Sequence, residues 1–132
     1  KVLTDAGKAV LYPGALETLG YLKDRGCRMV FLSNCRKYYR DCHALAFGLD
    51  EYFDELACSE EYDNVPKHEM LRRIKGRYPP EMAIVGDRWH DMEAGRKNGI
   101  YTIGCAYGFA RPGELDGADR IISDVRELME IF

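Results

Sequence analysis

Five short apolar or β-branched runs recur along this chain at fairly even spacing: Met29–Leu32, Glu55–Cys58, Met82–Val85, Tyr101–Gly104 and Arg120–Ile122. Between most of them lie stretches with helical patterning. From Ala15 to Asp24, Leu16, Leu19, Tyr21 and Leu22 fall near helical spacing, and Gly26 closes the run as a C-cap glycine would. Tyr38 to Phe47 reads as a second helix, and Lys67 to Arg77 as a third with Met70, Leu71 and Ile74 on one face. Asp91 to Asn98 and Asp124 to Ile131 complete the set. Short strands alternating with helices of this length predict βαβ units, hence an α/β fold whose mainly parallel sheet is covered on both faces.

A chain of 132 residues is one domain, long enough to bury a core. Its net charge of −3, with both signs interspersed, leaves no basic stripe for nucleic acid or a membrane surface. The longest apolar runs are about five residues, against roughly 20 needed to span a bilayer. No signal-peptide pattern is visible, although the first residue is Lys1. The five cysteines are an odd number without a C-x-x-C pair, which fits a reducing, cytoplasmic location. Cys27, Cys58 and Cys105 adjoin the apolar runs and read as small core residues. Cys35, Cys42 and His43 lack a second ligand cluster and read as incidental neighbours rather than a metal or thiol–imidazole site.

The stretch Ile84-Val85-Gly86-Asp87-Arg88-Trp89-His90-Asp91-Met92-Glu93 carries the densest chemistry. A glycine ends a strand, and two carboxylates, Asp87 and Asp91, stand on the turn and first helical residues beyond it. Ligands of open parallel sheets bind in the crevice at the carboxyl ends of the strands. Carboxylates aimed there are hard oxygen ligands suited to Mg²⁺; the plain alternative is a solvated Asp at a helix start. Gly86 is read as permitting a sharp backbone turn. Arg88, Trp89 and His90 receive no catalytic role. The strand Met29–Leu32 runs into Ser33-Asn34, hydrogen-bonding groups that would face the same crevice, or simply turn residues. Lys67 opens a helix behind Pro66, where an ammonium is unfavourable for the helix dipole unless an anion sits nearby; otherwise it is a solvated lysine.

In this order, strand-Ser33, Lys67 at a helix start and strand-Gly86-Asp87-x-x-x-Asp91 resemble motifs two, three and four of the haloacid dehalogenase (HAD) superfamily of phosphohydrolases. Flanking segments extend the likeness: Leu11-Tyr12-Pro13-Gly14-Ala15 ahead of motif two, then Gly99 to Gly104, Tyr107-Gly108, Glu114-Leu115 and Ala118-Asp119, as in phosphoglycolate-phosphatase-like members. The resemblance covers about residues 12–132 and implies a Rossmann-like three-layer sandwich. It also implies roles. Ser33 and Asn34 would bind the phosphoryl oxygens, Lys67 would neutralise charge on phosphoryl group and nucleophile, and Asp87 would ligate Mg²⁺. Asp91 would ligate the same ion or hold one of its waters. The partner implied is a small phosphorylated substrate, with neither nucleic acid nor membrane. A homo-oligomer is also open, since Tyr38-Tyr39 and Tyr107-Gly108-Phe109 would suit a cap or subunit contact as well as an ordinary surface.

The family's first motif, a strand ending in Asp-x-Asp, has no clear counterpart. Leu3-Thr4-Asp5-Ala6-Gly7 places glycine where the second aspartate would stand, so Asp5 is a weak candidate for the covalent nucleophile. The single core domain, residues 1–132, is therefore expected to be incomplete at its amino end. It would lack the cap and the central strand, with the nucleophile outside the chain. Two functions follow: a Mg²⁺-dependent phosphomonoester hydrolase working through an aspartyl-phosphate, or a HAD-like module that binds phosphate or protein without turnover. A receiver-like or flavodoxin-like domain shares the sheet but not this pattern of acids and lysine.

Overall fold

The computed structural model describes residues 2–3, 14–108 and 111–132. Its strands are β1 (Val2–Leu3), β2 (Val30–Ser33), β3 (Glu55–Cys58), β4 (Ala83–Gly86), β5 (Tyr101–Cys105) and β6 (Arg120–Ile122). Its helices are α1 (Ala15–Asp24), α2 (Lys37–Phe47), α3 (Lys67–Ile74), α4 (Trp89–Asn98) and α5 (Leu128–Ile131). Two end turns are tighter than the sequence pattern suggests: 3-10 turns at Lys75–Arg77 follow α3 and at Val125–Glu127 precede α5.

All six strands are parallel and lie in the order β3-β2-β1-β4-β5-β6. The α/β architecture with a parallel sheet is as anticipated, but the absent central strand is not. Val2–Leu3 pairs with Val30–Phe31 on one side and Ile84–Val85 on the other, so β1 closes the gap between β2 and β4. Two apolar residues between Lys1 and Thr4 carry no readable period, yet two extended residues are enough to bridge neighbouring ladders.

The strands alternate even though both faces of the sheet are covered. Phe31, Ala83, Val85 and Ile103 join Leu19 and Leu22 of α1 and Leu128 of α5 in one cluster. Val30, Leu32, Ala57 and Ile84 join Met70, Leu71 and Ile74 of α3 and Ala94 of α4 in the other. This produces three layers, with each fully buried aliphatic side chain contributing roughly 1.5–3 kcal/mol. Leu16, anticipated on the packed face of α1, is 38% exposed instead. Cys58 and Cys105 are buried as expected, whereas Cys27 is only half-buried.

Helices α3 and α4 lie side by side on the second face. Gly95 lets α4 sit close to the sheet: a Cβ there would lie 2.3 Å from Thr102 Cγ2 and 2.7 Å from Ile84 Cγ2. The carboxyl ends of all strands form one edge of the sheet. The strands run outward from β1 through β2 to β3, then the chain crosses to β4 and runs outward on the other side, so the carboxyl end of β1 is the switch point at which such sheets take ligands. No helix among the described residues is long and apolar enough to cross a membrane.

Candidate active site

Ser33 ends β2, and Asp87 follows β4 directly; these strands flank β1. Two inter-strand spacings separate them, about 10 Å of sheet edge, which is room for a phosphoryl group and a hydrated cation. Ser33 is buried, while Asn34 beside it is exposed. Asp5 and the Leu11–Pro13 lead-in lie outside the described residues.

Lys67 is not a surface residue. It is 3% exposed, and its Nζ donates to Asp91 Oδ1 at 2.6 Å, with Asp91 itself 1% exposed. The periodicity of α3 explains the burial: Lys67 stands three, four and seven residues before Met70, Leu71 and Ile74, on the same inward stripe. The helix opens at Pro66, whose carbonyl accepts the amides of Glu69 and Met70. A charged head on an apolar stripe requires a buried partner, and Asp91 provides it.

Asp91 occupies the third residue of α4. Its Oδ2 accepts the Arg88 amide at 3.2 Å, half of a capping box. Burial alone would raise the Asp91 carboxyl, but the Lys67 ammonium and His90, whose Nδ1 lies 3.8 Å from Oδ1, outweigh it and hold the group at about 2. Each oxygen of Asp91 thus already has a protein donor.

Gly86 is required for a reason other than a turn. It is absent from the glycines with left-handed φ, but a Cβ on it would lie 2.3 Å from Asp91 Cγ. Gly108 does the same for the other acid, since its Cβ would lie 2.4 Å from Asp87 Cβ. Both carboxylates are therefore backed by bare backbone. Cys105, at the end of β5, feels them too. Burial pushes its thiol up to about 12, with the charges of Asp87 and Asp91 adding and a Tyr107 hydrogen bond opposing.

The model of the haloacid dehalogenase-like hydrolases matches residues 1–99. The chain belongs to that family. Among its relatives, a phosphoglycolate phosphatase of Haemophilus influenzae is 28% identical over 128 residues, covering 92% of this chain and 57% of that protein. The pyrophosphatase PpaX of Halalkalibacterium halodurans is 30% identical over 107 residues, covering 78% of this chain and 49% of its own. A solved structure of a predicted phosphatase from Clostridium acetobutylicum superposes with a TM-score of 0.81 at 29% identity, over 91% of this chain and 58% of that one. The chain thus spans less than two thirds of each.

Within this HAD frame, the structure brings Lys67 and Asp91 into direct contact and sets Asp87 beside them, with Ser33 and Asn34 across β1. What the sequence reading passed over is Arg88 and Glu114. Arg88 Nε lies 2.9 Å from Glu114 Oε2. Its signal was an arginine at a helix N-cap position, where an acceptor is the norm.

Removing one partner of a buried ion pair leaves an uncompensated charge, at a cost of about 3–5 kcal/mol. Lys67→Met and Asp91→Asn should each show that loss in urea unfolding, and the double variant should be more stable than the worse single. Strict additivity would mean that the pair is not coupled. Acid should reveal the same contact. The depressed Asp91 carboxyl stabilises the fold above its unfolded value near 4, and this stabilisation is lost as pH falls towards 2. Unfolding midpoints between pH 5 and 2 should drop more steeply for the wild type than for Asp91→Asn.

Proposed function

We propose that the chain is the core of a phosphomonoester hydrolase that uses Mg²⁺ and acts on a small phosphorylated metabolite, in the class of phosphoglycolate or a sugar phosphate. The observation carrying this reading is the buried Lys67 ammonium held on Asp91 at the switch point of the sheet. Burying a lysine is costly, and this one stands at the ligand-binding edge, beside a second carboxylate. The names of the relatives, all but one of those cited being phosphatases, support the substrate class.

The donor set suits a hard divalent cation. Asp87 offers carboxylate oxygen from a position backed by Gly108, and burial raises the nearby thiol of Cys105. Among the described residues no group of three or more His, Cys, Asp or Glu side chains could hold a metal. Asp87 would be a direct protein ligand, with Asp91, already engaged on both oxygens, holding a metal-bound water. Mg²⁺ commonly keeps several waters and takes few protein carboxylates. When bound, it would supply charge neutralisation at the phosphoryl oxygens.

The chain's own residues would do the rest. Ser33 would donate to a phosphoryl oxygen, with Asn34 at the rim. Lys67 would offset charge on the phosphoryl group and on the attacking carboxylate. That carboxylate would form a P–O bond as the ester P–O bond breaks, the leaving alkoxide taking its proton from water. Water would then attack phosphorus of the aspartyl-phosphate and release inorganic phosphate. The expectation of a nucleophile outside this chain went with a missing central strand, but β1 occupies that place. Asp5 follows β1 by two residues in sequence and is the candidate within the chain. Gly7, where the family's second aspartate would stand, favours the other reading, a module that binds phosphate or protein without turnover.

Phosphate release from p-nitrophenyl phosphate with and without Mg²⁺ tests both. Asp87→Asn should abolish the Mg²⁺-dependent rate, and Lys67→Ala should lower it by at least about 10²-fold, the scale for losing a preorganised charge in a water-poor site. Retained activity in Asp87→Asn would remove the metal assignment. Activity lost in Asp5→Asn would place the nucleophile at Asp5. A folded chain that binds phosphate but releases none would favour the binding module.

A further inference from the structure

Helix α4 begins with a defect. Arg88 stands at its N-cap position with extended backbone, φ −130° and ψ 162°, but a guanidinium has only donors. The first amides of the helix need an acceptor, and it comes from far along the chain. Glu114 Oε2 accepts the Trp89 amide at 3.3 Å and Arg88 Nε–H at 2.9 Å, and its side chain is 12% exposed.

Glu114 belongs to the segment between β5 and β6, which is fastened at several points. Leu115 is buried and packs where a Cβ on Gly104 would lie 3.1 Å from it, and Asp119 Oδ2 accepts both the amide and the hydroxyl of Thr102. Gly108 in the same segment rests on Asp87. The turn from Gly86 to Asp91 is therefore gripped twice. Lys67 holds its inner side through Asp91, and Glu114 holds its outer side through Arg88 and Trp89.

We infer that Arg88 and Glu114 are a positioning pair that keeps the turn carrying Asp87 and Asp91 in the shape that receives the divalent cation. This rests on the reading of Asp87 as a cation ligand. Both side chains touch the helix start rather than the reacting groups, so they act through the carboxylates. An ion pair that is partly exposed adds little to global stability, whereas partners that orient metal ligands typically control 10–100-fold in metal affinity. The pair should therefore affect the metal and not the fold.

Mn²⁺ titrated into the full chain and followed by the electron paramagnetic resonance signal of the free ion reads affinity without turnover. Thermal melting by circular dichroism reads the fold. Arg88→Gln and Glu114→Gln should each weaken Mn²⁺ binding about tenfold with melting temperatures near the wild type. Opposite effects, tighter binding in Arg88→Gln and weaker in Glu114→Gln, would show that the two act only through their charges and would overturn the inference. Unchanged affinity in both variants would overturn it as well. Asp87→Asn is the reference: if it binds Mn²⁺ like the wild type, the metal reading itself fails, whatever the other two variants do.

Discussion

The contact between Lys67 and Asp91 organises this end of the molecule. A buried ion pair adds little net stability, because desolvation of both charges offsets their attraction. What it adds is constraint. Its 2.6 Å length ties the start of α3 to the first turn of α4. Asp91 can reach that position only because Gly86 has no side chain. The lysine, the glycine and the aspartate are one arrangement, and changing any of them displaces the others.

The sheet gives that arrangement its setting. β1 is two residues long and sits between strands of four. One half of the candidate site, Ser33 and Asn34, stands at the end of β2, on one side of β1. The other half, Asp87 and Asp91, stands on the turn after β4 and the first turn of α4, on the opposite side. Lys67 lies on the helix that carries the chain from one half to the other, between β3 and β4. The candidate groups thus come from three separate parts of the chain and share one edge of the sheet because the strands are parallel and the order reverses at β1.

Much of this was legible in the residues. Runs such as Met82–Val85 are too apolar to be loops and too short to be buried helices, and β4 lies within a residue of that run. The pairing of Asp87 with Asp91 across a turn was readable from their spacing. The burial of Lys67 was also encoded, in its alignment with Met70, Leu71 and Ile74, although the helix dipole drew attention first. β1 was missed because periodicity needs more than two residues to show. Gly86 was assigned to turning when its role is to leave room, and that depends on where a side chain five residues later points. The reach of Glu114 to Arg88 spans 26 residues, and no local pattern encodes such a meeting.

Cys105 adds a thiol of unusual environment to the same edge of the sheet. Thiolate, not thiol, is what binds zinc or copper strongly. With its thiol held at about 12 by burial and by the neighbouring carboxylates, Cys105 remains protonated across physiological pH. Soft sulfur and hard oxygen thus lie within electrostatic reach of one another. Burial, the largest of these influences, keeps Cys105 a neutral thiol, and a neutral thiol is slow to react with oxidants.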